Sequence, residues 1–288
     1  MDFPTQGIGD IVLACWILNS IRDTASSVQL KLNPRGYKVV PEILGIDAAF
    51  ITDESGADFS ETAGLGHLFE FEQVANGQPA GKSRFHHWCE SLGLGIVEPR
   101  RPNYAGDAEA LNWAREEWRG ITDGQPKKRI LIFPKTAWLV RQWPKAYFMD
   151  IVDILQKHGY AVAAMGSTSQ DVDYMNCKWY YGFDLSRVSA MMALSDYVIG
   201  CDSGPAHLSG ALGKHTLAIC GPTQGSVVFG HDPCVETIAL DPSVLDCVGC
   251  HFSPAKSYRS ACGVGGCQAL MRLSPEIVLQ SVRKTLEA

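Results

Sequence analysis

Four cysteines near the end of the chain have the spacing of a metal site. They follow the pattern Cys247-x2-Cys250-x11-Cys262-x4-Cys267, which opens with the C-x2-C pair that is typical of tetrahedral centres. Four thiolates suit zinc or a single iron ion better than an iron–sulfur cluster. A site with no open position is expected to be structural. The alternative is that these cysteines are reduced thiols or form disulfides.

A second candidate site is the turn formed by residues 202–207. An apolar strand leads into Asp202, and a helix is expected to begin at Pro205. Backbone N–H groups in the first turn of a helix bind anions, and Ser203 and Gly204 allow a phosphate to approach closely. His207 lies one turn into this helix. An ordinary strand-to-helix turn with a packed histidine is the alternative.

A third candidate is the loop that carries Thr136 and Arg141. It follows a predicted strand at 129–133 and leads into a helix at Pro144. Arginine and threonine are suitable hydrogen-bond donors to a diphosphate. In a doubly wound sheet this loop lies beside the Asp202 turn if the two strands are neighbours. The alternative is a solvent-exposed loop.

The fourth candidate is the segment Gly7-Ile8-Gly9-Asp10. It is not a dinucleotide-binding fingerprint, because Val12 occupies the position of the last glycine. The segment instead forms a turn that presents a carboxylate at the start of a helix. Asp10 is either a reactive carboxylate or a simple helix cap, and the spacing alone favours the cap.

The elements that must position these residues alternate between short strands and amphipathic helices, which predicts an α/β fold with parallel sheets. A polar, Gly- and Pro-containing stretch at 121–129 predicts a domain boundary. The predicted strands are 28–32, 48–52, 129–133, 161–165, 196–200, 216–220 and 235–240. The predicted helices are 10–22, 83–92, 107–120, 144–158, 186–194, 205–212 and a final helix that opens at 274–276.

Composition narrows the class of protein. The chain has 288 residues, of which 46% are hydrophobic and 19% charged, as in a globular protein of about two domains. The net charge of −6 and the pI near 5.7 argue against a nucleic-acid partner. No apolar run approaches the ~20 residues of a membrane-spanning helix, and we expect no secretory signal. The six other cysteines are scattered and predicted to be reduced, and no disulfide scaffold is expected.

In this order, the motifs resemble those of glycosyltransferase family 9, the heptosyltransferase family of lipopolysaccharide assembly. Residues 7–14 resemble its G-x-G-D-x-x-L motif, 141–144 its K-x-W-P motif and 202–208 its D-[ST]-G-x-x-H-L motif. Residues 220–223 resemble the family's F-G-x-T turn, and 273–278 its C-terminal end. Arg141 stands where lysine is usual, so a planar guanidinium with several N–H donors replaces a compact ammonium group.

The resemblance implies a GT-B fold, with two Rossmann-like doubly wound domains that face each other across a cleft. Residues 1–125 would form a shortened acceptor-binding domain. Residues 126–288 would form the nucleotide-sugar-binding domain, with the four-cysteine metal loop at 247–267 and a C-terminal helix. The expected reaction is inverting transfer of a heptose or similar sugar, without a catalytic metal, from a nucleotide-diphosphate donor. An ADP-linked donor is favoured.

The resemblance also implies roles for individual residues. Asp10 would be the general base, within an acceptor loop that contains Gly7 and Gly9. The donor diphosphate would be bound by Arg141 and by further residues of the two loops, namely Thr136, Asp202, Ser203, Gly204 and His207. The acceptor would be a glycan, a glycolipid or a protein, in the cytoplasm and with at most peripheral membrane contact. Four cations on the acceptor side weakly indicate an anionic acceptor: Lys82, Arg84, Arg100 and Arg101.

Two other functions stay open at this point. A sugar-nucleotide epimerase would use a GT-B-like fold with acidic and histidine residues in the cleft. A metal-stabilised module that binds a nucleotide or a partner without catalysis would leave Asp10 as a plain cap.

Overall fold

The structure is a computed structural model, and it describes residues 7–23, 30–31, 39–47, 51–52, 82–252 and 266–286. Its main feature is a parallel six-stranded sheet with helices on both faces. The strands are β3 (Arg129–Phe133), β4 (Ala161–Gly166), β5 (Lys178–Tyr181), β6 (Tyr197–Cys201), β7 (Thr216–Ile219) and β8 (Val235–Ile238). A separate two-stranded parallel pair consists of β1 (Leu30–Lys31) and β2 (Ile51–Thr52).

The order of the six strands is β5-β4-β3-β6-β7-β8. In chain order this is 3-2-1-4-5-6, the arrangement of the doubly wound Rossmann sheet. The order reverses between β3 and β6, where Ile132 pairs with Ile199 and Phe133 with Gly200. Loops that leave neighbouring strands in opposite directions open a crevice at this point, and ligands bind there in sheets of this type.

The described helices lie between and beside these strands. They are α1 (Ile8–Ile21), α2 (Val39–Ile43), α3 (Arg84–Ser91), α4 (Ala108–Thr122), α5 (Lys145–Lys157), α6 (Leu185–Ala193), α7 (Gly204–Ala211), α8 (Gly225–Phe229), α9 (Gln268–Arg272) and α10 (Pro275–Leu286). Within the described residues no helix has the length and apolarity to cross a membrane.

Two apolar clusters cover the two faces of the sheet, because side chains alternate along each strand. In β3, Ile130 and Ile132 face a cluster that contains residues of α5, α9 and α10. Leu131 and Phe133 face the other cluster, to which α1, α3, α4, α6 and α7 contribute. All four of these β3 side chains are buried, as expected for a central strand of a parallel sheet.

Most predicted elements from residue 129 onward are confirmed to within about two residues. The strand β5 and the short helices α8 and α9 were missed. Pro144 is the residue before α5 and not its first helical residue, because its ψ of 135° is extended. In the N-terminal part, the predicted strands 28–32 and 48–52 appear as the parallel pair 30–31 and 51–52, and their other residues lie outside the described ranges.

The predicted boundary near residue 125 falls just after α4. This helix packs on the layer of the six-stranded sheet: the Trp118 indole donates a hydrogen bond to the Met191 carbonyl of α6 at 3.2 Å. The Tyr180 hydroxyl of β5 donates to Glu117 at 2.7 Å. Thus α4 contacts elements on the other side of the boundary, and the division into two domains stays a prediction.

The start of α1 touches the start of α7. A Cβ atom on Gly9 would lie 2.7 Å from the Cδ2 atom of His207, and one on Gly204 would lie 2.7 Å from the Cβ atom of Ile8. Real Cβ atoms do not approach that closely, so the contact requires glycine on both helices. The G-x-G-D and D-S-G-x-x-H sequences are therefore packed against each other in space.

We expect Gly9→Ala to destabilise the protein by about 1–3 kcal/mol, because the new methyl group meets a buried imidazole that has little room to move. Equilibrium unfolding in denaturant measures this loss. Gly120→Ala is the matched control, since Gly120 lies in α4 with nothing within 4 Å of the added Cβ. Alanine is favoured there by about 0.5–1 kcal/mol. Equal stability changes in the two variants would contradict the close contact.

Candidate functional site

The candidate site lies at the carboxyl ends of β3 and β6, where the strand order reverses. Thr136 and Arg141 follow β3, and Asp202 and Ser203 follow β6. Because β3 and β6 are hydrogen-bonded neighbours, the two loops adjoin. The sequence-based expectation that the Thr136–Arg141 loop lies beside the Asp202 turn is therefore confirmed.

The loop after β3 is held by its own polar groups. The Thr136 amide donates a hydrogen bond to Gln142 Oε1 at 2.9 Å, and Gln142 Nε2 donates to the Pro134 carbonyl. The Thr136 hydroxyl donates to the Trp138 carbonyl at 2.6 Å. These bonds give the buried Thr136 side chain a part in shaping the loop. Its contact with a phosphate stays a prediction.

Arg141 and Asp202 form the electrostatic centre of the site. Arg141 Nη1 lies 3.2 Å from Asp202 Oδ2, and the Asp202 side chain is only 2% exposed. Burial by itself favours the protonated acid, but the positive charge of the Arg141 guanidinium outweighs it. The net effect is that the pKa of Asp202 lies below its usual range. The pair therefore places a fixed cation at the crevice.

The first turn of α7 follows directly. Ser203 is the residue before the helix, and its hydroxyl donates to the Cys201 carbonyl at 3.1 Å. The amides of Ala206 and His207 both donate to the Ser203 carbonyl, and Pro205 has no N–H group. The amides of Ser203 and Gly204, at the start of the helix, are thus the candidates in this turn for binding an anion. Ser203 and Gly204 lie where the sequence predicted them.

His207 is buried between the two loops. Its Nε2 atom lies 3.8 Å from Asp202 Oδ1, and its ring packs on Phe229 with 4.4 Å between the centroids. Burial lowers the pKa of His207 to about 4, so the imidazole is neutral near pH 7. A neutral ring can orient the carboxylate without adding a charge to the crevice.

Asp10 has a partner that the sequence did not reveal. Arg84 of α3 contacts Asp10 Oδ1 through Nη2 at 3.1 Å, and both side chains are mostly buried. The other carboxylate oxygen, Oδ2, faces Gly7, where an added Cβ would lie 3.4 Å away. The expectation that Asp10 is a simple helix cap is wrong, because Gly7 is the N-cap of α1 and no side chain makes a capping hydrogen bond there. Asp10 is the third residue of the helix, and its carboxylate pairs with a guanidinium instead.

The three other acceptor-side cations have partners elsewhere. Lys82 pairs with Glu90, and Arg100 pairs with Asp23. Arg101 lies 3.8 Å from the buried Asp232. Of the four cations, Arg84 is the one that the structure brings to the candidate site, so the indication of an anionic acceptor rests on that residue.

A buried aromatic layer lies behind the Asp10–Arg84 ion pair. His231 stacks on Phe85 at 5.6 Å and meets Trp16 edge-on at 5.2 Å. Its Nδ1 atom is buried and has no hydrogen bond from the described residues. Burial, and then the positive charge of neighbouring side chains, lowers the pKa of His231 to about 3. No motif pointed to this residue.

The cysteine loop docks beside the same crevice. Gly249 donates its amide to the Gly221 carbonyl at 3.0 Å, and His251 donates to the Pro222 carbonyl at 2.8 Å. From the other side, the Cys267 Sγ atom lies 3.1 Å from where a Cβ on Gly221 would be. Both arms of the cysteine motif therefore converge on the turn after β7.

The four-cysteine arrangement is only partly described. Cys250 and Cys267 are buried, Cys247 is half-buried, and Cys262 lies outside the described residues. The Cys250 amide donates to the Cys247 carbonyl at 3.2 Å, which closes the turn of the C-x2-C pair. Among the described residues no three His, Cys, Asp or Glu side chains are grouped so that they could hold a metal ion.

Two aromatic residues at the crevice were also missed. The Arg141 guanidinium lies over the Trp138 ring, 4.6 Å from its centroid. The His251 ring meets Trp138 at 6.3 Å. Nothing in the sequence around Trp138 or His251 marks them, because the contact joins a loop after β3 to the cysteine loop more than a hundred residues later.

Comparison with known proteins shows which family these features resemble. The profile of glycosyltransferase family 9 (heptosyltransferase) matches residues 90–229, which include Arg141 and the Asp202–His207 turn. Over these residues the chain is similar to glycosyltransferase family 9. The match does not extend to Asp10 or to the cysteine loop, so the interpretation of those residues depends on their own chemistry and geometry.

Lipopolysaccharide heptosyltransferase 1 of Pseudomonas aeruginosa is a relative of this chain. The two are 22% identical over 229 residues, which is 72% of this chain and 64% of the relative. The chain thus spans slightly less than two thirds of the relative's length.

Solved structures show the fold of this chain. A glycosyltransferase family 9 protein from Veillonella parvula gives a TM-score of 0.67 at 16% identity, with 99% of this chain and 96% of that one covered. The ADP-heptose lipopolysaccharide heptosyltransferase II of E. coli gives 0.66 at 14% identity, with 99% and 98% covered. The iron-containing dodecameric glycosyltransferase TibC of enterotoxigenic E. coli gives 0.71 at 12% identity, with 99% and 77% covered. The predicted GT-B fold is confirmed.

We expect the stability of the protein to fall in acid partly through His231. The unfolded chain takes up a proton near pH 6.5, whereas the buried ring does so only near pH 3, so the unfolding free energy drops as the pH falls below 6.5. At pH 5 this residue alone lowers the free energy of unfolding by about 2 kcal/mol. Denaturant unfolding at pH 7.5 and 5.0 should show His231→Phe losing correspondingly less stability than the natural chain.

His158→Gln is the control for that comparison, because His158 lies on the exposed surface at the end of α5. It should leave the difference in unfolding free energy between the two pH values unchanged. A His231→Phe variant with the same acid loss as the natural chain would show that the ring titrates normally in the folded protein.

Proposed function

We propose that the protein is an inverting glycosyltransferase. It would move a heptose or similar sugar from a nucleotide-diphosphate donor to an acceptor hydroxyl, with both substrates bound in the same crevice. An ADP-linked donor is favoured, and the acceptor would be a lipopolysaccharide-type glycan or glycolipid, or a protein. The reaction would take place in the cytoplasm, with at most peripheral contact with a membrane that carries the acceptor.

The observation that carries this proposal is the Arg141–Asp202 pair at the strand-order reversal. It supplies a fixed cation at the place where doubly wound sheets bind the phosphates of their ligands. The ligands of two structural neighbours support a nucleotide-sugar donor. An E. coli heptosyltransferase structure contains ADP, and a TibC structure contains ADP-D-β-D-heptose. The match of residues 90–229 to the glycosyltransferase family 9 profile supports sugar transfer as the reaction.

In the proposed reaction, Asp10 takes the proton of the acceptor hydroxyl while that oxygen attacks the anomeric carbon of the donor. The bond from the anomeric carbon to the diphosphate oxygen breaks, and the configuration inverts. Arg84 contacts Oδ1 of Asp10, so the hydroxyl would approach Oδ2 on the side of Gly7. The absence of a side chain at Gly7 keeps room there for the acceptor.

The leaving nucleoside diphosphate carries growing negative charge. The loop after β3 and the first turn of α7 carry groups that stabilise such a charge. Arg141 and the Gly204 amide provide fixed donors that need not reorganise during the reaction. The buried Asp202 holds the Arg141 guanidinium at 3.2 Å, so this donor keeps its position while charge grows on the leaving group.

We further propose that Cys247, Cys250, Cys262 and Cys267 hold a structural zinc or iron ion. The convergence of both arms of the motif on Gly221 supports this, because an ion would join chain segments that already pack on one turn. A structural neighbour, TibC, is named as iron-containing. When bound, the ion supplies a crosslink between the segments, and the transfer steps above depend on Asp10 and Arg141.

We expect Asp10→Asn to lower the transfer rate at least about 100-fold, because an amide cannot accept the hydroxyl proton. The assay is ADP release from ADP-heptose with a heptose-deficient lipopolysaccharide core as acceptor, with the product identified by mass spectrometry. Thermal shift with ADP, UDP, GDP and CDP should show the same stabilisation in the variant as in the natural chain.

Asp150→Asn is the control for the loss of a carboxylate, since Asp150 is exposed on α5. Its transfer rate should match that of the natural chain. Full activity of Asp10→Asn would show that Asp10 is not the general base. A natural chain that binds none of the four diphosphates would contradict the proposed function, and one that isomerises the donor without an acceptor would show an epimerase.

For the metal, we expect about one zinc or iron ion per chain by elemental analysis of the purified protein. A Cys247→Ser/Cys250→Ser double variant should lose the ion and unfold at a lower temperature, since structural ions stabilise the folded state. Cys177→Ser, outside the motif, should retain it. A natural chain purified without metal and unchanged in stability when zinc or iron is added would contradict a structural ion.

A further inference from the structure

We propose that Trp138 and His251 form an aromatic subsite that packs against the sugar ring of the donor. This inference rests on the proposed function and deepens it, because it names residues of this chain that would contact the group transferred. The two side chains come from the loop after β3 and from the cysteine loop, and they meet at the crevice with 6.3 Å between ring centroids.

The Trp138 backbone is held in place. Its carbonyl accepts hydrogen bonds from the Thr136 hydroxyl at 2.6 Å and from the Arg141 amide at 2.9 Å. The same residue keeps 40% of its surface exposed. The ring is large and apolar, its backbone is fixed, and it still faces solvent. Burying it against a ligand would therefore remove apolar surface from water with little loss of conformational entropy.

The position of the ring relative to the phosphate-side cation indicates which ligand it meets. The Arg141 guanidinium lies 4.6 Å from the centroid of the Trp138 ring and also contacts Asp202. A group directly attached to a diphosphate on Arg141 therefore lies within reach of the indole. Aromatic residues beside a few fixed polar groups are the usual lining of small-molecule sites.

The sugar is the attached group that fits this location. Transfer requires the sugar to lie between the diphosphate on Arg141 and the base Asp10. His251 reaches Trp138 from the turn after β7, with 6.3 Å between the ring centroids, and so borders the crevice on the side opposite the loop after β3. Sugar rings have a face of C–H groups, and burying that face on an aromatic ring removes apolar surface from water.

His251 would act as a positioning residue for Trp138. Its amide is anchored to the Pro222 carbonyl at 2.8 Å, which fixes the cysteine loop beside the crevice. The edge-on contact of its ring limits the movement of the indole. The cysteine loop would thus contribute to donor recognition through this ring, in addition to stabilising the fold.

The test is calorimetric binding of ADP and of ADP-heptose to the full chain. We expect Trp138→Ala to weaken ADP-heptose about tenfold and to change ADP less than twofold, with Trp138→Phe restoring most of the affinity. Trp179→Ala is the matched control, because Trp179 is 36% exposed on the edge strand β5. It should bind both ligands as the natural chain does.

His251→Ala should weaken ADP-heptose by a smaller factor than Trp138→Ala, and His251→Phe should restore the affinity, because it keeps a ring beside Trp138. Thermal unfolding of each variant, recorded without ligand, separates an effect on binding from an effect on folding. An equal loss of affinity for ADP and ADP-heptose in Trp138→Ala would place the ring on the nucleotide and overturn the sugar subsite.

Arg141→Ala distinguishes failure of this inference from failure of the proposed function. If Arg141→Ala weakens both ligands and Trp138→Ala weakens neither, the aromatic subsite is overturned and the diphosphate site stands. If the natural chain binds neither ADP nor ADP-heptose, the proposed function falls, and the subsite falls with it.

Discussion

A buried acid at the reversal of strand order is the constraint on which the site depends. Asp202 is almost completely removed from water, and a charge in that position is tolerated only if it is compensated. Arg141 provides the compensation from a different loop, so that loop must reach across the crevice. Gln142 and Trp143 fix its path, through the Thr136 amide and the Cys201 sulfur. The location of the cation is thus set by the need to neutralise one carboxylate.

The Rossmann half of the fold could be predicted because its elements are signalled locally. Residues 197–201 form a short apolar run that ends at a turn, and the strand β6 is buried along its whole length. The strand β5 could not be found in this way. Lys178, Trp179 and Tyr181 are on an edge of the sheet and partly exposed, so the segment has no continuous apolar run.

Two parts of the site could be predicted: the turn whose motif and geometry lie in one segment, and the adjacency of two loops that leave neighbouring strands. The Asp202–His207 turn is continuous in sequence, and the resemblance to the family located it. The Arg84 partner of Asp10 and the Trp138–His251 contact join residues that are 74 and 113 positions apart, by subtraction of their numbers. Such contacts arise from tertiary packing, and a pattern of residue types within one segment contains no information about them.

The contact between α1 and α7 has a further consequence for motion. The two helices meet through Gly9 against His207 and Ile8 against Gly204, with no space for an intervening atom. A rotation of one side of the crevice relative to the other can preserve this contact only by pivoting about it. Atoms close to a pivot travel short arcs, and Asp10 directly follows Gly9. Opening and closing would therefore displace the carboxylate much less than residues at the far rim of the crevice.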